Sequence, residues 1–230
     1  MSRLFAFGCS FTNYRWSTWA DILGAHYDEY YNWAQSGAGN QFIFNSIMEA
    51  DQRHRFRQGD QVIVCWTSPL REDRYSDRWQ TLGNVMHSPI YREDYKRNIT
   101  VRGCVIRDLA YMRAVRELLK SRKLLHWKWF STHNVRQWDL WSDNSIDQCD
   151  DVFELYQPVV KEISANFADV LFGGEWPNRS DPHPTPAEHL EFLDQVLPGW
   201  VTKQDVRAKI AQETENLTFT RSGLSTVTRL

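Results

Sequence analysis

Leu4-Phe5-Ala6-Phe7-Gly8-Cys9-Ser10-Phe11-Thr12 is the stretch from which the rest of the chain can be read. A short apolar run stops at a glycine, which predicts a buried strand entering a tight turn. Ser10 stands on that turn. Far downstream the chain reads Asp181-Pro182-His183-Pro184. A serine hydroxyl, an imidazole and a carboxylate are the parts of a nucleophilic site, in which a base must take the hydroxyl proton. Their wide separation in sequence suits an α/β sheet, where the ends of parallel strands meet along one edge.

Outward from this strand, the pattern alternates. Strands are predicted at Leu4–Phe7, Tyr27–Ala34, Gln61–Trp66, His126–Phe130 and Ala168–Phe172. Between them lie a helix over Trp16–Ala25, capped by Ser17 or Thr18, and a helix after the turn Ser36-Gly37-Ala38-Gly39-Asn40. Val105–Leu119 gives the strongest helical stripe, Phe153–Phe167 reads as a helix broken or begun near Pro158, and Pro184–Leu197 closes the series. This order predicts a flavodoxin-like three-layer α/β/α sandwich around a parallel five-stranded sheet. The main domain is expected over residues 1–200, with irregular insertions near 69–103 and 131–151. The first insertion is long for a simple connection, so it is either functional or a small subdomain. Residues 201–230 read as a helix over Thr202–Asn216 followed by a Ser/Thr-rich tail, either a docking arm or disordered.

Composition narrows the function. A net charge of −2 over 230 residues argues against a general nucleic-acid binder. There is no apolar run of membrane-spanning length and no signal-peptide pattern at the start, so a cytoplasmic protein or a component of a viral or other large assembly is expected. The four cysteines Cys9, Cys65, Cys104 and Cys149 are scattered and read as reduced thiols. Gly37-x-Gly39 is an incomplete dinucleotide fingerprint and there is no phosphate loop, so no cofactor is called for. Asp181, His183 and His189 match no familiar zinc spacing. The chain holds 11 Trp, 9 Tyr and 12 Phe. Such aromatics fill cores, or face sugar rings in a cleft. Trp127 and Trp129 alternate in a strand and read as core; Trp138 and Trp141 lie in a polar loop and are the candidates for an exposed surface.

In order along the chain, short blocks resemble those of the SGNH, or GDSL-like, serine hydrolases. Phe7-Gly8-Cys9-Ser10-Phe11-Thr12 is similar to the first block, with Cys9 where the name-giving motif has Asp. Asn32-Trp33-Ala34-Gln35-Ser36-Gly37-Ala38-Gly39-Asn40 is similar to the second, Val62–Pro69 falls at the third, and Asp181-Pro182-His183-Pro184 resembles the last. The resemblance implies the SGNH type of the sandwich, with Ser10 as nucleophile, His183 as general base and Asp181 as its orienting carboxylate. It also implies an oxyanion site from the N–H groups of Ser10 and Gly37. The third block departs from the pattern: Ser68 falls where the family has an asparagine donor, leaving Ser68, or a relocated Asn40 or Asn134, to serve.

The resemblance implies an esterase acting on an oxygen ester; the aromatic content and the two irregular insertions suggest a small acyl group, such as acetyl, on a carbohydrate or a similar ester. The alternatives are an acyltransferase using the same triad, or an inactive binding or structural module of a larger assembly such as a virion. The expected ligand is a small-molecule or glycan ester, with no nucleic acid and no membrane. A protein partner or a second copy of the chain is expected to engage the C-terminal tail. Cys9 reads as a buried structural thiol; His133-Asn134 follows the fourth strand and either lines the cleft or, the preferred reading, forms a polar loop.

Overall fold

A computed structural model describes residues 2–85, 89, 91–124, 126–136, 149–217, 219–220 and 223–224. Its centre is a parallel sheet of β1 (Arg3–Phe7), β2 (Glu29–Asn32), β3 (Gln61–Trp66), β6 (Trp127–Ser131) and β7 (Ile163–Asn166), in the order β2-β1-β3-β6-β7. Strand alternation sorts the apolar residues onto two faces. Phe5, Phe7, Val62, Val64, Trp66 and Trp129 face one layer, containing α2 (Asn40–His54), α4 (Val101–Ser121), α5 (Asp150–Leu155) and α6 (Gln157–Val160). Leu4, Ala6, Ile63, Cys65 and Phe130 face the other, containing α1 (Trp19–Gly24), α7 (Phe167–Phe172), α8 (Pro186–Val196) and α9 (Gln204–Glu215). The expected α/β/α sandwich is therefore the fold. Trp16, Trp19, Trp66 and Trp129 are fully buried, so much of the aromatic content fills the core.

The fifth strand lies earlier than predicted. Ala168–Phe172 belongs to α7, and the strand is Ile163–Asn166, inside the stretch read as helical. The apolar run was too short for its period to distinguish the two. Local capping decides: the Asn166 side chain accepts from Asp169 N at 2.8 Å, and Gly173 ends the helix at φ 63°. The preceding stretch breaks into α5 and α6, with Pro158 in the first turn of α6.

The first insertion is built structure. It forms an antiparallel hairpin, β4 (Arg71–Tyr75) and β5 (Trp79–Asn84), and a helical turn, α3 (Glu93–Lys96), over a small cluster of Leu70, Val85, Tyr91 and Cys104. Most of the second insertion, with Trp138 and Trp141, lies outside the described residues. So does most of the tail, apart from a two-residue pairing of β8 (Phe219–Thr220) with β9 (Gly223–Leu224). All four cysteines are buried and none is disulfide-bonded to another, and among the described residues no helix is long and apolar enough to cross a membrane.

Candidate active site

Because the sheet is parallel, the loops after β1, β2, β3 and β6 leave from the same edge. Ser10 sits there, 5% exposed, on a turn in which Thr12 N and Asn13 N both donate to Cys9 O. Gly8 makes this turn possible: a Cβ on it would lie 2.1 Å from Thr12 Oγ1 and 3.1 Å from Cys65 O. The turn is anchored from outside by Asn32 Nδ2 and Thr18 Oγ1, both donating to Thr12 O, and by Asn13 Nδ2 donating to Ala34 O.

The Asp181–Pro184 loop reaches the same point. His183 Nε2 lies 2.8 Å from Ser10 Oγ, and His183 Nδ1 lies 2.6 Å from Asp181 Oδ1. With the carboxylate accepting at Nδ1, Nε2 is the free acceptor that faces the hydroxyl. Asp181 Oδ1 also accepts from His183 N at 3.0 Å. The loop is held by Arg179, which donates to the carbonyls of Asp181 and His183 and pairs with Glu188 at 2.7 Å. Trp16 Nε1 donates to Pro184 O, and Glu188 accepts from Thr185 N at the start of α8.

Tyr14 completes this arrangement, and nothing in the sequence marked it. Its hydroxyl donates to Asp181 Oδ2 at 2.5 Å, and its ring stacks on the His183 imidazole with centroids 4.1 Å apart. Burial and the Asp181 charge push the Tyr14 phenol well above its ordinary value, so it remains a donor. Burial opposes the Asp181 charge, but the donors from Tyr14 and His183 more than offset it and hold the carboxylate below its usual range. Burial lowers the His183 pKa; Asp181 opposes the shift, while Arg71 and Arg179 add to it. The imidazole is thus neutral at neutral pH, as a general base requires.

Gly37 and Ser68 leave the same edge, after β2 and β3, but neither is hydrogen-bonded to the Ser10–His183–Asp181 line. Gly37 adopts φ 80°, and a Cβ there would lie 2.7 Å from Thr81 O of the hairpin. Among the described residues, neither Ser10 N nor Gly37 N has a hydrogen-bond partner. Ser68 is buried, and its Oγ accepts from Leu70 N at 3.3 Å. Asn40 is committed elsewhere: its amide donates to Thr67 O and Asp108 Oδ2 and accepts from Thr67 N. Asn134 Nδ2 makes a long, 3.5 Å contact with Asp169.

A cavity of about 640 Å³ opens beside His183, with Phe11, Arg71, His133, Trp176 and Pro182 in its wall. His133, read from sequence as part of a polar loop, is a cavity residue. Its Nε2 accepts from Trp176 Nε1 at 2.6 Å, and its Nδ1 is 2.9 Å from Thr132 Oγ1. Burial, followed by the Arg71 charge, lowers its pKa to about 4. His189 is buried beneath α7 against Phe167, and among the described residues no group of three or more His, Cys, Asp or Glu side chains is placed to hold a metal ion. Cys9 is fully buried behind the turn.

Fold and site together define an α/β/α protein with a Ser–His–Asp hydrogen-bonded line at the carboxyl edge of its sheet. No protein-family model and no curated protein matches the chain. Among solved structures, it is similar to a member of the lipolytic protein G-D-S-L family from Veillonella parvula DSM 2008, at 13% identity and a TM-score of 0.48, covering 87% of this chain and 100% of that one. It is also similar to a GDSL-like lipase from Bacteroides thetaiotaomicron VPI-5482, at 14% identity and a TM-score of 0.48, covering 90% and 88%.

Proposed function

We propose that this chain is an SGNH-type serine esterase that removes a small acyl group, such as acetyl, from a carbohydrate or a similar ester. The observation that carries the reading is the continuous line from Ser10 Oγ through His183 to Asp181, at 2.8 and 2.6 Å. Ser10 Oγ attacks the acyl carbon while its proton passes to His183 Nε2. Asp181 stabilises the resulting imidazolium. The tetrahedral intermediate collapses as the alkoxide leaves with that proton. Water, deprotonated by His183, then adds to the acyl-enzyme, and the acid departs as Ser10 regains its proton.

The free N–H groups of Ser10 and Gly37 are the oxyanion donors in this reading. Ser68 Oγ already accepts from Leu70 N, which leaves its one hydrogen to donate in place of the family's asparagine. Phe11 and Trp176 give the cavity the aromatic faces on which a sugar ring packs.

The test is hydrolysis of p-nitrophenyl acetate by the wild-type chain, Ser10→Ala and His183→Ala, with fluorophosphonate labelling alongside. Each substitution is expected to cost about a thousandfold or more in kcat, and the label is expected on Ser10. If all three proteins match the buffer rate and Ser10 takes no label, the chain is a binding module on this fold. Chromatography of the products with a sugar acceptor present separates release of free acid from acyl transfer.

A further inference from the structure

The charge balance of the arginines distinguishes one of them. Arg3, Arg107, Arg116, Arg179 and Arg207 are all shielded from solvent, and each pairs with a carboxylate, on Asp60, Glu72 and Asp108, Glu162, Glu188 and Asp194 respectively. Arg71 is also partly buried but, among the described residues, has no ion pair within 4 Å. Among the described residues its guanidinium makes a single hydrogen bond, from Nη1 to Ala38 O at 3.2 Å. Asp73, two residues on, feels the Arg71 charge but spends both carboxylate oxygens on Gly39 N and Phe42 N. Arg179, also in the cavity wall, is committed to Glu188 and two carbonyls.

Arg71 lies in the wall of the cavity that contains His183 and His133, and its charge reaches both imidazoles. Glu175 lines the same cavity from an exposed position and makes no ion pair with Arg71. A partly desolvated guanidinium with most of its donors free is costly unless something pairs with it, and its planar fork matches a carboxylate. In this cavity a bound ligand can supply that group.

We infer that Arg71 recognises an anionic substrate: an ester carrying a carboxylate, whose charged group pairs with Arg71 while its acyl carbon lies at Ser10. This rests on the esterase reading and specifies its substrate class. The hairpin that begins at Arg71 is then the specificity element that the first insertion adds to the sandwich.

Two ester pairs test it and locate the charge. Mono-4-nitrophenyl succinate against 4-nitrophenyl butyrate places the carboxylate on the acyl side; 4-acetoxybenzoate against phenyl acetate places it on the alcohol side. In one pair the wild-type chain is expected to favour the charged member by about tenfold or more in kcat/KM. Arg71→Gln keeps a donor for Ala38 O and removes the charge; it is expected to bring that ratio near one, and Arg71→Lys to restore part of it. No charge preference in either pair, or a preference unchanged in folded Arg71→Gln, overturns the inference. If Arg71→Gln does not fold, an Arg71→Lys ratio equal to wild type in both pairs, with no preference between the members, also overturns it.

A second readout does not need turnover. In NMR titrations of Ser10→Ala with monomethyl succinate and methyl butyrate, and with 4-acetoxybenzoate and phenyl acetate, the charged ester of one pair is expected to shift cavity resonances at lower concentration, and adding Arg71→Gln to remove the difference. If no ester is hydrolysed but this discrimination is present, the esterase reading fails and the anion site stands. If both the acyl-side and the alcohol-side pair titrate alike, the anion site fails whatever the catalytic result.

Discussion

Tyr14 acts on both members of the pair beside it. Its hydroxyl takes part of the Asp181 charge and its ring restricts the His183 imidazole. Tyr14→Phe keeps the ring and removes the donor. With one donor fewer, the Asp181 charge is more fully available to a protonated His183, so the imidazole pKa rises. In the wild-type chain the acid limb of kcat/KM is expected below the ordinary imidazole value of 6.5, because folding lowers the His183 pKa. In Tyr14→Phe that limb should move to higher pH, with kcat reduced about three- to thirtyfold and KM little changed. A pH–rate profile of both proteins checks this, and an unmoved limb would reduce Tyr14 to a packing role. At this scale the sequence was legible where chemistry demands a residue type: Ser10, Asp181 and His183 stood out as a nucleophile, a carboxylate and a base. Tyr14, Arg71 and His133 did not, because a phenol, a guanidinium or a lone imidazole gains a function only from what it faces.

Among the elements, α2 carries the Gly37–Asn40 turn into the site, and its start is held by a residue from the hairpin. Asp73 Oδ1 accepts from Gly39 N and Oδ2 from Phe42 N, both at 2.8 Å. This supplies from a distance the cap that a helix N-terminus needs. The close approach is possible because residue 39 is a glycine; a Cβ there would lie 2.8 Å from Asp73 Oδ2. Asp73→Ala is expected to lower unfolding free energy by about 1–2 kcal/mol, read from urea denaturation, and to slow ester hydrolysis by loosening Gly37. Restored stability with unrestored rate in a second-site revertant would separate these effects. The hairpin was the part of the fold hardest to read: residues 69–103 have no clear period because their apolar positions serve a small cluster, not one face of the main core. The misplaced fifth strand has a similar origin, since the Asn166 side-chain cap and the left-handed backbone of Gly173 outweighed a short apolar run.

Across the whole molecule, the layers hold the loops that meet at Ser10. The last helix, α9, is part of this: Val206 and Ile210 enter the core, Glu213 accepts from Ser17 N, and Thr214 Oγ1 accepts from Ala187 N. Beneath the His183 loop, burial lowers the His189 pKa to about 3. The unfolded chain binds the proton that folded His189 refuses, so this residue makes stability fall as pH drops below the unfolded value of 6.5. Its share between pH 7 and pH 5 is about 2 kcal/mol. Urea denaturation at the two pH values should show the drop, and His189→Leu should reduce it.

The sequence by itself determined the alternating order of the elements, the parallel sheet they imply, and the identity of Ser10, Asp181 and His183 as candidates. These follow from local apolar period, from turn residues and from the few side chains able to do nucleophilic chemistry. The tertiary structure decided which residues surround that line. It placed Tyr14 against Asp181 and His183, committed Asn40 to Thr67 and Asp108, and left Arg71 in the cavity wall without an ion pair among the described residues. Such pairings join residues far apart in the chain, and their energies depend on distance and burial, which no local pattern encodes.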